Sequence, residues 1–290
     1  MERMLVPLDE SSLAEAILPI VIKLAREEDG EVILLHAVEF QPLPSEDQLR
    51  AEAQTITEAE NRLRAMAARL ETEGIRRVRW VVWSAEPVQA IHDAAKSYRS
   101  DLIAMATHGR GGLSRLLLGS VATAVVRSAP VPVLLIRGQL PERTWSLRKL
   151  LVPLSGDKES EAILPVAERL AGPADLELHL LAVLEPLPAT VETFPAEAEV
   201  IALRRVEAER HLEEVTERLS AKGLRVTWSI RAGRAPETII SVAREGGVDL
   251  IAMATHGRGL LGRLAFGSVA DTVLRASPVP VLLFRVNESE

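Results

Sequence analysis

Cysteine is missing from all 290 residues, which excludes disulfides and thiolate metal sites and fits a reducing interior. Positive charge is also scarce, with 34 Lys and Arg against 41 Asp and Glu and a net charge of −7. A general nucleic-acid binder needs clustered positive charge to meet the phosphate backbone. The balance argues against that class, and any phosphate recognised here must be met locally. No apolar run approaches the roughly 18 residues of a membrane span. The opening MERMLVPLDE sets Glu2, Pro7 and Asp9 where a signal peptide needs a continuous apolar core. The expectation is a soluble, cytoplasmic protein that binds neither nucleic acid nor membrane. Two catalytic signatures are missing as well: there is no G-x-x-x-x-G-K-[ST] loop, and no grouping of His with carboxylates at metal-ligand spacing. Neither a P-loop ATPase nor a protein-bound catalytic metal is expected.

What the chain does contain is one unit written twice. Asp101 to Arg137 reads DLIAMATHGRGGLSRLLLGSVATAVVRSAPVPVLLIR, and Asp249 to Arg285 reads DLIAMATHGRGLLGRLAFGSVADTVLRASPVPVLLFR. From Trp80 onward the copies align without gaps at one offset, as His108 and His256 show, 148 residues apart. A chain of 290 residues suits two domains of ordinary size. We place them at 1–138 and 148–287, joined by a turn-rich linker at about 139–147.

In the first copy, the apolar run Arg3 to Leu8, ended by Asp9, predicts a buried parallel strand. A helix is expected from about Ser12 to Arg26, kinked at Pro19. Pro165 falls at the equivalent place in the second copy, within a shared AILP. Glu31 to Val38 reads as the second strand. Ser45-Glu46-Asp47-Gln48 has capping-box spacing and opens a charged helix to about Glu73. Strand Val78 to Trp83, helix Val88 to Ser97, strand Leu102 to Ala106, helix Val121 to Arg127 and strand Val131 to Ile136 complete the unit. The second copy repeats the order from Lys149, with Leu150 to Leu154 as its first strand and Asp249 to Ala254 as its fourth. Such alternation calls for right-handed crossovers. The expected fold is α/β: two tandem doubly wound, Rossmann-like domains, each a five-stranded parallel sheet in the order 3-2-1-4-5 with helices on both faces.

Open parallel sheets bind ligands beyond the carboxyl ends of their strands, where the strand order reverses. In this order that point lies between strands one and four. Asp9 ends the first strand, and Ala106-Thr107-His108-Gly109 ends the fourth. A glycine turn follows (Gly109-Arg110-Gly111, or Gly257-Arg258-Gly259), and then Gly119-Ser120 or Gly267-Ser268 precedes an apolar helix. Backbone amides of the loop and the helix start suit an anion. Ser120 adds a hydroxyl, and Arg110 and Arg258 add charge. Asp9 is an acceptor and suits a sugar hydroxyl or a base.

Plainer readings stand beside these. Loop glycines serve positive φ without touching a ligand. His108 and His256 either act as bases or phosphate donors or hold the turn through backbone hydrogen bonds. His36, His92, His179 and His211 recur in no pattern and read as structural or solvated. Gly257 to Gly262 matches the dinucleotide fingerprint but follows the fourth strand, where the fingerprint belongs after the first, so a nicotinamide or flavin cofactor is not expected. Trp80 and Trp228 read as packing residues. The tracts Glu58 to Glu73 and Arg204 to Glu217 read as the wet faces of amphipathic helices.

Taken together, these residues carry a resemblance. Both halves resemble universal stress protein domains, over nearly the whole chain except the linker and the loops near Glu39 to Gln54 and Glu185 to Glu199. The nucleotide-binding branch of that family has the signature Gly, two residues, Gly, nine residues, then Gly followed by Ser or Thr. It is matched from Gly109 through Gly119-Ser120 and from Gly257 through Gly267-Ser268, with Ala106 and Ala254 replacing the first glycine. The resemblance implies ATP or a related adenine nucleotide, with Mg²⁺ on the phosphates. It implies Pro7, Leu8, Asp9, Ala37 and Val38 near base and ribose, and Met105, Ala106, His108, Gly109, Arg110, Gly119, Ser120, Val121 and Ala122 around the phosphates. In copy two it implies Pro153, Leu154, Ser155, Ala182 and Val183, with Met253, Ala254, His256, Gly257, Arg258, Gly267, Ser268, Val269 and Ala270. Ser155 stands where Asp9 does, and a serine is a weaker, neutral acceptor. Copy one is therefore expected to be the tighter site.

The function implied is a stress-response protein acting through nucleotide-dependent conformation or partner binding, not an enzyme beyond weak ATPase activity. A slow ATPase or phosphotransferase and a nucleotide-free interaction module are the alternatives. The apolar last strands, Pro130 to Ile136 and Pro278 to Phe284, are expected at sheet edges, where proline is tolerated. The resemblance implies an internal pseudo-dimer through them, with a homodimer as a further expectation.

Overall fold

The computed structural model describes residues 1–39, 45–107, 119–138, 147–174, 176–186, 194–256 and 267–286. It divides the chain into two compact units, Met1–Trp145 and Ser146–Glu290. Of the expected linker, only Leu147 is among the described residues.

Unit one runs β1 (Arg3–Pro7), α1 (Leu18–Glu28), β2 (Glu31–Val38), α2 (Glu46–Thr72), β3 (Arg77–Ser84), α3 (Pro87–Ser97), β4 (Leu102–Ala106), α4 (Ser120–Ser128) and β5 (Val133–Ile136). Its strand order is β3-β2-β1-β4-β5, with parallel pairing throughout. Unit two runs β6 (Lys149–Pro153), α5 (Lys158–Glu161), α6 (Leu164–Ala174), β7 (Glu177–Leu184), α7 (Phe194–Ser220), β8 (Arg225–Ala232), α8 (Ala235–Glu245), β9 (Leu250–His256), α9 (Ser268–Ala276) and β10 (Val281–Val286). Its order is β8-β7-β6-β9-β10, again parallel. This is the expected doubly wound α/β arrangement, present twice.

The inner strands are apolar because helices cover both faces of a parallel sheet. Met4, Leu5, Val6, Val32, Ile33 and Leu34 are all fully buried, as are Leu150, Leu151 and Val152. The aspartate that opens each repeat fastens the start of the central strand. Asp101 accepts the backbone N–H of Glu2 at 2.7 Å and of Arg3 at 3.3 Å, and Asp249 accepts those of Arg148 at 2.8 Å and Lys149 at 3.0 Å.

The helix α2 has the expected capping box. The Ser45 hydroxyl accepts from the N–H of Gln48 at 3.3 Å, and the Gln48 side chain accepts from the N–H of Ser45 at 2.7 Å. It buries Ala59, Leu63, Ala67 and Leu70, a spacing of three to four residues that leaves its charged tract in solvent. Trp80 lies beneath it, with the Arg64 guanidinium 5.3 Å from the ring centroid.

The first helix departs from expectation. No helix runs from Ser12 through a kink at Pro19. A 3₁₀ turn, Ala14–Ile17, comes first, and Pro19 then sits in the opening turn of α1. The missing proline N–H costs nothing there, since the first helical N–H groups have no intrahelical partner. Pro165 likewise occupies the second position of α6, after the separate α5. The strand β5 starts at Val133, not Val131: the two residues before it include Pro132, which has no N–H and contributes only its carbonyl, accepting from Ile103 at 3.0 Å.

Candidate functional site

A crevice opens where the central strands part. In unit one β1 pairs with β2 as far as Pro7↔Leu35, and β4 with β5 as far as Ala106↔Ile136. Between β1 and β4 the pairing covers only Met4↔Leu102 and Leu5↔Ile103. Past Leu5 the two strands diverge, and their carboxyl ends flank a gap at the point where the strand order reverses. Unit two repeats this, with β6 and β9 paired only at Leu150↔Leu250 and Leu151↔Ile251.

The rim of the first gap is formed by Pro7, Leu8 and Asp9 after β1, by Met105 and Ala106 at the end of β4, and by the start of α4. The buried Thr107 ties the last two together. Its N–H donates to Ile136 at 2.9 Å, and its carbonyl accepts from the N–H of Gly119 at 2.8 Å. A Cβ on residue 119 would lie 2.6 Å from that carbonyl oxygen, so only glycine lets α4 begin this close to β4. Gly119 provides no side-chain cap, and the first intrahelical bond runs from the N–H of Thr123 to its carbonyl at 2.9 Å. The opening turn, Ser120, Val121 and Ala122, therefore presents N–H groups without helical partners at the positive end of the helix dipole.

Asp9 is exposed and bent by a local turn: its Oδ1 accepts from the N–H of Ser11 at 2.9 Å and from the Ser11 hydroxyl at 2.5 Å. Its Oδ2 keeps acceptor capacity. His36 is structural. It is buried, and its Nδ1 lies 2.8 Å from the Leu8 carbonyl, which steadies the chain leaving β1. Ala37 and Val38 close β2 one strand away from the gap. His108, Gly109 and Arg110 lie outside the described residues, as do Gly257 and Arg258.

The second gap differs in detail. Pro153, Leu154 and Ser155 follow β6, and Met253 and Ala254 lie in β9, which extends through His256. The Ser155 hydroxyl donates to Asp157 Oδ2 at 2.9 Å, and Asp157 Oδ1 accepts from the N–H of Ser160 at 2.6 Å, capping α5. The carboxylate nearest to Ser155 is thus occupied by a structural task. Gly267 caps α9 with φ at 80°, where Gly119 has −57°. Ser268, Val269 and Ala270 form the opening turn, which also carries Asp271, held by Arg275 at 2.8 and 2.9 Å. The same position in unit one is Thr123, so the second helix start faces a carboxylate that the first lacks. The strand register also moves the β2 correspondence by one residue. Ala182 pairs with Ile230 as His36 pairs with Val82, so Val183 and Leu184, rather than Ala182 and Val183, answer to Ala37 and Val38.

Among the described residues no group of three or more His, Asp or Glu side chains stands together as a metal site, and no helix is long and apolar enough to cross a membrane. Sequence reasoning places Thr107 at the end of the fourth strand but gives it no role, because that role is carried by its backbone. The four scattered histidines differ more than their spacing suggests. His92 Nε2 lies 3.2 Å from the Ser128 hydroxyl, and burial pulls its pKa below the usual value. His179 sits in a hydrogen-bonded chain in unit two. Burial, then the nearby Lys149 charge, pulls its pKa down as well.

The model of the universal stress protein family matches residues 1–137 and 146–285. A universal stress protein of Synechocystis is 26% identical over 209 residues, 69% of this chain and 66% of that protein. One from Mycobacterium tuberculosis is 29% identical over 201 residues, 65% of this chain and 63% of its own length. The chain thus spans just under two thirds of these relatives. A universal stress protein from Archaeoglobus fulgidus superposes with a TM-score of 0.72 at 23% identity, covering 99% of this chain and 97% of that one, a likeness of fold.

Proposed function

This chain belongs to the universal stress protein family, and from that premise we propose that it binds an adenine nucleotide, ATP, at the crevice of unit one and acts in stress response through nucleotide-dependent conformation or partner binding. The observation that carries this reading is the uncapped start of α4, held by the Gly119–Thr107 hydrogen bond at the mouth of the gap between β1 and β4. Ser120, Val121 and Ala122 would receive the phosphates on backbone N–H groups. Asp9 Oδ2 would accept a ribose hydroxyl or a base N–H, and Pro7, Leu8, Ala37 and Val38 would line the nucleoside. Mg²⁺ would travel on the phosphates, whose charge it neutralises. Such residues bind and orient a nucleotide, and the Ser11 hydroxyl beside Asp9 is tied into the turn that Asp9 itself holds, so the proposal is a binding protein and not an enzyme. A cytoplasmic location and self-association through the apolar last strands stay part of the proposal.

The test is a substitution that keeps the helix but rejects the anion. Ser120→Glu places a negative charge at the first helical position of α4, which favours the helix by about 0.3–1 kcal/mol yet repels a phosphate. At one hundred times its Kd, ATP should raise the Tm of the unsubstituted protein on the order of 5–10 °C. Ser120→Glu should abolish that shift and leave the unliganded Tm unchanged or higher. A full shift in the variant would show that the phosphates do not sit at α4. Mass spectrometry of nucleotide released from the purified, denatured protein separates the alternatives: ATP supports this reading, and ADP with measurable turnover would support a slow ATPase.

A further inference from the structure

A second pocket, in unit two, shares no lining residue with the rim of either crevice. It has a volume of about 240 Å³ and is lined on its sheet side by Lys149, His179 and Arg231, and on its helix side by Val242, Glu245 and Gly246 of the last turn of α8, with Val248 beyond. That is below the roughly 300–1,000 Å³ of sites that take drug-sized ligands, so the occupant is small.

The duplicated chain supplies its own comparison. Strand register puts Ile33 at the place of His179, and the constant offset puts Trp83 at that of Arg231 and Tyr98 at that of Gly246. Unit two has replaced two large aromatics and a buried aliphatic by an arginine, a glycine and a histidine. Ile33 is buried while Trp83 and Tyr98 are partly exposed, so the exchange trades apolar surface, part of it in the core, for charge and space.

The polar groups behind the pocket are fixed in one arrangement. The Thr227 hydroxyl donates to Glu177 Oε1 at 2.8 Å, so at 2.9 Å it accepts from His179 Nδ1–H. That leaves Nε2 to accept from the Ser229 hydroxyl, also at 2.9 Å. His179 is thereby a neutral, oriented wall. Lys149 Nζ meets Glu177 at 3.2 Å, while Arg231 has no ion-pair partner among the described residues. Opposite them stand the Glu245 carboxylate, which accepts from Ser241 at 2.8 Å, and the carbonyl end of α8, negative by its dipole. The pocket is positive on the sheet side and negative on the helix side, with valine methyl groups between.

We propose that this pocket binds a small zwitterion, an α-amino acid with a short aliphatic side chain. Arg231 takes the carboxylate in a bidentate pair, the end of α8 with Glu245 takes the ammonium, and Val242 and Val248 take the side chain. A stress protein with this site would read amino-acid level through a surface separate from its nucleotide crevice, and the inference does not depend on the nucleotide reading.

The full chain, isotope-labelled, is titrated with L-alanine, propionate and ethylamine while the Arg231 Nε–H and His179 ring signals are followed by NMR. Saturable shifts with L-alanine, at least tenfold tighter than with propionate or ethylamine, are expected. Arg231→Gln should weaken L-alanine at least tenfold with Tm unchanged, since Arg231 is exposed. No saturable shift, equal binding of propionate, or undiminished binding by Arg231→Gln would each overturn the proposal.

Discussion

Gly119 and Gly267 occupy matching places in the repeat for different reasons. At Gly119 the backbone is ordinary, with φ at −57°, and the constraint is the Thr107 carbonyl oxygen, only 2.6 Å from where a Cβ would sit. At Gly267 there is open space, but φ is 80°, a region that alanine enters at a cost on the order of 1 kcal/mol. Gly119→Ala must therefore push α4 away from β4. It should lower the unfolding free energy by about 1–3 kcal/mol in urea titrations and weaken ATP. Gly267→Ala should cost less, with no displacement of its helix.

The histidines carry a prediction about pH. In the folded chain His179 and His92 both have pKa values below the ordinary 6.5. The folded state then binds fewer protons than the unfolded one in this window, so the stabilisation is complete above pH 6.5 and is lost as pH falls below it toward the folded pKa values. Around His179 the charges are Lys149, Glu177 and Arg231, and around His92 they are Asp93, Glu86 and Lys96. Urea midpoints should fall on going from pH 7.5 to pH 5.5, and NMR titration of both rings should give midpoints below 6.5. A midpoint above it for His179 would contradict the burial of its ring.

At the level of elements, the prolines and the capping box part company. Ser45 makes both halves of the reciprocal cap of α2, so Ser45→Ala should cost about 0.5–2 kcal/mol, measured by urea unfolding. Pro19 sits in the first turn of α1, where it breaks no hydrogen bond. Pro19→Ala should shift stability by less than about 1 kcal/mol, whereas relief of a proline inside a helix would gain about 3 kcal/mol. The cap was readable because its two residues lie three apart in the chain. The helix start was not, because periodicity runs smoothly through Ala14 to Glu28 and does not distinguish a 3₁₀ turn from the α-helix that follows it.

For the whole molecule, the two crevices share their strand topology and differ in charge. Unit one has Asp9 with a free oxygen, and Thr123 in its helix start. Unit two has Ser155 bonded to Asp157, and Asp271 beside the amides that would meet a phosphate. Arg275 offsets that carboxylate in part. Calorimetric titration should therefore give one tight ATP site per chain, and Asp271→Thr together with Ser155→Asp should bring the second site closer to the first. Two equal sites in the unsubstituted protein would show that these differences do not govern affinity.

The strand order and the switch point were expected only as the common ones for such sheets, whereas the local patterns of the chain were enough for the duplication and the doubly wound α/β class. Each rests on periodicity, turn chemistry or repetition within a few tens of residues. The rest was decided by distances between segments far apart in the chain. Pairing between β1 and β4 stops at Leu5↔Ile103, Gly119 meets Thr107 across the loop, and Glu177, His179, Thr227 and Ser229 join into one hydrogen-bonded chain from two strands about fifty residues apart. A hydrogen bond is won or lost within a few tenths of an ångström, and no pattern of residue types along a chain carries that precision, so the chemistry of each site emerges only once the strands and helices are packed.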